Sequence, residues 1–388
     1  MKILYISTPA YADCDFPLIK AFQEKGIDIV YIITIGPFNR RSTLIDIQKP
    51  YRRVGIYPAS EFKELQVFQD YMDMRNVYIS YRNGRNILAP STWIENYRLK
   101  KFVKKQKFDV IHTDDYYRGF RNWIYKLGAK IIVSHHDPFP HSGEHFRNEV
   151  KVYSSVIRKS QGAVLLNKNQ LTEFCDFYNI SPNDVLINRL GVYDNIRSFV
   201  PNTIQQRHHN ILFFGRISQY KGIEYLCKAM IKVHNVIPDA TLTIAGSGRM
   251  YFDIGPYKKL DYIEFRNYFI GLEELACLLS QCDISVCPYT DATQSGVIMT
   301  SYSLGKPVIA TNVGGLPEMI EDGKTGYLVP PKNSDELATA IIKILKDENA
   351  RNVMSNYIVS EYYTGSKSWP KIADKYIKYY ERILERKI

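Results

Sequence analysis

Two cations and a glycine-flanked helix start are the groups in this chain best suited to handle a leaving phosphate. The run Phe213-Phe214-Gly215-Arg216 closes an apolar stretch, and Lys221-Gly222 opens a helical one continuing through Leu226, Ala229 and Met230. That order predicts Arg216 and Lys221 on the loop side of a sheet, where a guanidinium and an ammonium together suit a diphosphate. Taken alone, two such cations are more often solvated loop residues. A second block, from Ser295 to Pro330, shifts the balance. Ser295 suits an N-cap, and Gly296 permits close ligand approach to a first turn whose amides carry partial positive charge. The predicted helix reaches Leu304, Gly305 ends it, and Val308-Ile309-Ala310 reads as a buried strand followed by the turn Gly314-Gly315.

A polar cluster, His135, His136, Asp137 and His141, follows another apolar run. His135, Asp137 and His141 could each ligate a divalent cation, but Pro138 and Pro140 break any helical spacing and no cysteine joins them. The expectation is therefore no metal site.

The elements that must position these groups alternate. Apolar strands are read at residues 3–6, 29–33, 110–111, 131–133 and 164–166, with helices at 16–25, near 93–105 and at 144–158. A second series of strands falls at 211–214, 241–245, 263–265, 284–287 and 308–310. Such alternation predicts parallel, right-handed α/β sheets. The shift in composition over 194–210 marks a linker, so the expected organisation is an amino-terminal half (1–193), that linker, and a carboxyl-terminal half (211–368). The Tyr- and Lys-rich tail, 369–388, reads as a helix. Residues 39–85 show no regular pattern and stand as an insertion of unread fold, suited to an acceptor site.

The 388 residues fit two ordinary domains. No apolar run approaches the ~20 residues of a membrane span, and the apolar start before Ala10-Tyr11-Ala12 is too short for a signal peptide. Six cysteines without a Cys-x2-Cys pair predict reduced core thiols in a cytoplasmic protein. The net charge of +11 is uneven, with 29 Lys and Arg against 20 Asp and Glu in residues 1–200. The basic excess includes the run from Arg98 to Lys107. It fits an anionic partner: nucleic acid, an anionic membrane surface or a lipid diphosphate. No nucleic-acid reading module accompanies it, so nucleic acid is not expected. The bland alternative for Arg98–Lys107 is a solvated helix face with Leu99, Phe102 and Val103 turned inward.

Together, GRISQYKG, TLTIAGSGRM and GKPVIATNVGGLPEMIEDGKTGYLVP resemble the nucleotide-binding half of a GT-B glycosyltransferase. The closest group is the retaining family 4 (glycosyl transferases group 1), in the type found in bacterial polysaccharide synthesis. The resemblance is strong over residues 205–345 and weaker before them. It implies a GT-B fold, two Rossmann-like parallel-sheet domains facing a cleft, with the tail helix crossing back onto the first. It also implies transfer from a nucleotide-sugar donor such as a UDP-sugar to a glycan or lipid-linked acceptor, without a cofactor, at the inner face of the plasma membrane. By resemblance, His136 and Asp137 match the loop facing the donor sugar, and Arg216 and Lys221 neutralise the leaving diphosphate. Gly215, Gly246, Asp291, Ser295, Gly296, Val297, Thr300 and Glu318 fall at donor-binding positions, and Asp13 at an acceptor-binding one. Asp13-Cys14-Asp15 spells a metal-binding signature that belongs to the other main glycosyltransferase fold and is set aside.

Two departures stand out. The family has a glycine pair where this chain has Ala10-Tyr11-Ala12. It also places two glutamates where this chain has Ala292 and Thr300, with Asp291 one residue from the first. The open alternatives are a catalytically silent nucleotide-binding partner of an active transferase, and another enzyme on the same fold, such as a nucleotide-sugar epimerase or a phosphorylase.

Overall fold

A computed structural model describes residues 1–47, 53–84, 88–114, 119–139, 154–204 and 208–386. Fourteen strands among these residues form two sheets. The first contains β1 (Lys2–Ser7), β2 (Asp28–Ile35), β3 (Gly55–Pro58), β4 (Val77–Tyr81), β5 (Val110–Thr113), β6 (Lys130–His135), β7 (Gly162–Leu165) and β8 (Val185–Ile187). Its order is β3-β4-β2-β1-β5-β6-β7-β8, so the strand order reverses between β1 and β5. The second contains β9 (Asn210–Phe214), β10 (Thr241–Gly246), β11 (Ile263–Asn267), β12 (Ile284–Cys287), β13 (Val308–Thr311) and β14 (Gly326–Val329), ordered β11-β10-β9-β12-β13-β14. There the reversal lies between β9 and β12. Clefts outside the carboxyl ends of strands at such reversals are where open α/β sheets take ligands.

Each strand predicted from an apolar run is present, because Ile, Val and Leu runs bury both faces of a parallel sheet. Within the stretch 39–85, the described strands β3 and β4 extend the first sheet. β4 pairs parallel to β2, and β3 returns antiparallel to β4 at the edge, the one departure from the all-parallel expectation among the described pairs. A strand that returns antiparallel needs no crossover helix, so strand–helix alternation does not mark it in the sequence. The helix read at 144–158 lies mostly outside the described residues; 154–157 are helical. All six cysteines are free, and five are buried.

The helix Trp369–Glu385 leaves the second half and packs on the first. Its Trp369 indole donates to the Val192 carbonyl at 2.6 Å, Tyr376 packs edge-on to Phe22 of the Ala12–Glu24 helix, and Asn188 donates to the Ile372 carbonyl at 3.2 Å. These contacts hold the carboxyl ends of the two sheets towards a shared cleft.

Candidate active site

The loop after β1 begins the site. Pro9–Tyr11 make one 3-10 turn, and the helix Ala12–Glu24 starts immediately after it. Residues two apart on a helix do not share a face. Asp15 accordingly turns into the core, accepting from Ser7, from Tyr31 at 3.0 Å and from Tyr5 at 3.2 Å. Asp13 instead lines the cleft, where burial pushes its carboxyl up to about 7. The two carboxylates do not converge on a common point, which disposes of the Asp-x-Asp pattern geometrically. Tyr11, standing where the family has glycine, fills that space with a ring stacked 3.9 Å from His136.

His136 and Asp137 follow β6 and are clasped by the opposite half. The Gln294 amide donates to the His136 carbonyl at 3.2 Å, and the Thr293 hydroxyl donates to Asp137. The His136 ring also lies 3.8 Å from Asp114, a fully buried carboxylate that accepts from Tyr5 at 2.9 Å. Burial alone would raise Asp114, but His136, His112 and Tyr5 hold it below the ordinary range, while burial and Asp114 raise Asp15. His135 is turned inward against Phe174, with ring centroids 4.9 Å apart, so it cannot meet Asp137 at one ion. Among the described residues no group of His, Cys, Asp and Glu is arranged to hold a metal. His141 lies outside them.

In the second half, β9 ends at Phe214 and Gly215 takes φ +115°, turning the chain so that Arg216 emerges exposed. Gly215 needs this conformation, and a Cβ on neighbouring Gly246 would lie 1.8 Å from the Gly215 carbonyl. Arg216 donates to the Tyr220 hydroxyl at 3.0 Å. Lys221 holds its ammonium 3.6 Å from the Tyr289 ring centroid and 5.0 Å from that of Tyr220. Burial lowers Lys221 to about 8, with Arg216 adding repulsion.

The helix after Ser295 spans Gly296–Ser303. Ser295 holds the N-cap position, but its hydroxyl makes no cap bond and sits 3.3 Å from the Tyr289 hydroxyl. That corrects the expectation of a side-chain cap: Tyr289 competes for the same oxygen. Thr300 spends its hydroxyl proton on the Gly296 carbonyl at 2.8 Å.

A cavity of about 400 Å³ collects these groups from both halves: Asp13, His136 and Asp137 on one wall, Arg216, Tyr220 and Gly296 on the other. Gln294 joins them, and its buried amide oxygen has no partner among the described residues. A neighbouring cavity of about 230 Å³ is lined by Gly215, Leu272, Gly296, Val297 and Thr300, again with Asp13. Asp291 is half-buried and lines neither.

Glu318 reaches across to the first half. Its carboxylate accepts from the backbone amides of Lys168 at 2.8 Å and Asn169 at 2.8 Å, across the interdomain space. It lines a cavity of about 370 Å³ with Lys168 and Arg189, adjoining the 400 Å³ cavity at Leu190 and Gln294. Sequence reasoning missed Thr293, Tyr220, Asp114 and Tyr193, the last of which lines both cavities. Tyr220 lies inside the GRISQYKG motif and could have been noticed; Asp114 carries no local signal.

Residues 208–347 match the family of glycosyl transferases group 1. An uncharacterized glycosyltransferase of Methanocaldococcus jannaschii is 28% identical over 311 residues, 72% of this chain and 76% of that protein. The alpha-D-kanosaminyltransferase of Streptomyces kanamyceticus is 30% identical over 149 residues, 37% of this chain and 38% of that one. Among solved structures, Anabaena HepE in complex with UDP superposes with TM-score 0.66 at 16% identity, over 98% of this chain and 100% of HepE. Sucrose-phosphate synthase from Thermosynechococcus elongatus gives 0.68 at 16%, over 99% of each chain. Two α/β sheets, parallel but for the edge strand β3, share one cleft, and with a group 1 transferase segment forming one wall they make this chain a glycosyltransferase of GT-B fold.

Proposed function

We propose that the chain is a retaining glycosyltransferase of family 4 that moves a sugar from a nucleoside diphosphate to a hydroxyl of a glycan or lipid-linked acceptor. Its setting is bacterial surface-polysaccharide assembly at the cytoplasmic face of the membrane. The observation that carries the reading is the 400 Å³ cavity, in which Asp13, His136 and Asp137 oppose Arg216 and the start of the Gly296–Ser303 helix.

In this scheme the bond from the anomeric carbon to the diphosphate oxygen breaks, and its electron pair stays on the phosphate. Arg216, Lys221 and the first-turn amides neutralise the charge that develops, each such donor supplying about 3–4 kcal/mol. The acceptor oxygen bonds to the anomeric carbon on the face the diphosphate leaves, and its proton passes to the departing phosphate. His136 and Gln294 hold sugar hydroxyls, and Asp13 orients the acceptor. The 230 Å³ cavity, between Gly215 and Thr300, suits the nucleoside. No cofactor enters. UDP is the first donor to try, since Anabaena HepE was solved with it.

The test is a thermal-shift screen against UDP, GDP, ADP and CMP and their sugars, followed by transfer assays with NMR assignment of the product anomer. Stabilisation by one diphosphate series and an anomer matching the donor are expected. The missing glutamates at 292 and 300 favour one rival, a silent nucleotide-binding partner, which would show the shift but no turnover with any acceptor.

A further inference from the structure

The helix Pro90–Lys104 buries a carboxylate at its amino-terminal half and shows aromatic residues to water. Its buried positions are Thr92, Glu95, Leu99 and Val103. Glu95 is 1% exposed and accepts from Ser80 at 2.6 Å and Arg121 at 2.8 Å. The outward face carries Trp93 (53% exposed), Ile94 (46%) and Tyr97 (66%). Glu95 is paired and Leu99 and Val103 fill the core, so the fold accounts for the inward face; the clustered exposed aromatic and apolar residues are what it leaves unused.

Composition changes along the same face. After Tyr97 the exposed positions are Arg98, Lys101, Lys104, Lys105 and Lys107. Trp93, Tyr97, Lys101 and Lys104 follow one another at spacings of four, four and three, so they form one stripe. The apolar end is also the cleft end. β4 runs parallel to β2, which runs parallel to β1, and the chain leaving β4 at Tyr81 reaches Pro90 from the sheet edge where β1 delivers Asp13. Two further exposed apolar residues follow strands at that edge, Phe38 after β2 and Leu88 after β4.

We infer that this face is a docking surface for an anionic lipid bilayer. Trp and Tyr rings seat at the headgroup level, where an amphipathic ring is better placed than in water or hydrocarbon. Lysines farther along the helix meet the negative surface potential, and their alkyl stems let the ammonium groups reach the lipid phosphates. The arrangement sets the acceptor wall of the cleft beside the membrane, within reach of a lipid-linked hydroxyl. This inference rests on the lipid-linked acceptor proposed above for its purpose, though not for its geometry.

The experiment is co-flotation of the full chain with vesicles of phosphatidylcholine alone and with about one third phosphatidylglycerol. The wild type should float with the anionic vesicles, remain behind with the neutral ones, and be released by high salt. Lys101→Glu/Lys104→Glu should weaken binding by at least about fivefold per charge. Trp93→Ala/Tyr97→Ala should weaken it in a way salt does not mimic. All these side chains are exposed, so melting temperatures should stay at the wild-type value. Nucleotide-induced thermal shifts and transfer to a soluble acceptor, both measured without vesicles, should also be unchanged in these variants. Wild-type chain that ignores anionic vesicles while still transferring sugar would overturn the docking surface and leave the enzyme reading intact. So would a concentration-dependent dimer abolished by Trp93→Ala, which would assign the face to a second copy of this chain.

Discussion

The Lys221 ammonium sits 3.6 Å from the centroid of the Tyr289 ring, and the Tyr289 hydroxyl lies 3.3 Å from Ser295. One aromatic side chain thus joins the cation after β9 to the helix start after β12, the two segments expected to share a diphosphate. The ring stabilises a charge that burial disfavours. The balance still leaves Lys221 lowered to about 8, from the usual 10.5.

A pH dependence follows. Lys221 is charged below about pH 8 and neutral above, and only the charged form can neutralise the leaving group. kcat/KM should fall as pH rises through about 8, and Lys221→Arg should remove that limb, since a guanidinium stays protonated. Retention of the same alkaline limb in the arginine variant would assign it to another group.

The same residue should cost stability. A lysine whose folded pKa lies below its unfolded value binds fewer protons when folded, so this part of the stability rises with pH between about 8 and 10.5 and is unfavourable at neutral pH. Lys221→Met should stabilise the nucleotide-free protein at pH 7 by about 1–2 kcal/mol, discounted for the solvent its side chain keeps, while abolishing transfer. Calorimetry and a transfer assay on one preparation check both halves. A destabilised variant would mean that the lysine is structural.

Arg216 is exposed and donates to the Tyr220 hydroxyl at 3.0 Å. Arg216→Ala should lower kcat by about 10²–10³-fold with an unchanged melting temperature. Full activity would remove the leaving-group role.

What could be read from the sequence, and what could not, divides along physical lines. β12 and β13 announced themselves because Ile284–Cys287 and Val308–Thr311 are apolar runs that a parallel sheet buries on both faces. β8 and β14 are as short, but turn-forming neighbours obscure them. Gly222 was legible as a helix start: its φ is +64°, and a Cβ there would lie 1.9 Å from the Pro288 carbonyl. The Thr293–Asp137 clasp was not, since it joins residues 156 apart and no local pattern marks a long-range hydrogen bond. Glu318 was not legible as an interdomain contact: the resemblance sets it near the nucleotide, and only the structure shows its carboxylate accepting from the amides of Lys168 and Asn169, 150 and 149 residues away.

That geometry gives a discriminating measurement. Glu318→Gln weakens an acceptor of two backbone amides, so the two halves should lose about 1–2 kcal/mol of mutual stabilisation. Small-angle scattering should show a wider ensemble, and nucleotide affinity should change little. A tenfold loss of nucleotide affinity with unchanged scattering would return Glu318 to the donor site.

The absent glutamates can be restored one at a time, and the structure sets different outcomes. Ala292 is 3% exposed, and its carbonyl would lie 1.7 Å from any Cβ on Gly314, which holds φ +51°. A glutamate at this buried position must displace packed neighbours or bury its carboxylate. Ala292→Glu should cost at least about 3 kcal/mol and yield little folded protein. Thr300 is 8% exposed but lines the 230 Å³ cavity with Gly215 and Val297. Thr300→Glu can extend into that space and offer a carboxylate to a ribose diol. It should fold, melt within about 1 kcal/mol of wild type, and bind its nucleoside diphosphate several-fold more tightly. Equal tolerance of both substitutions would mean that Ala292 is not packed as described. Weaker nucleotide binding by Thr300→Glu would place the ribose elsewhere in the cleft.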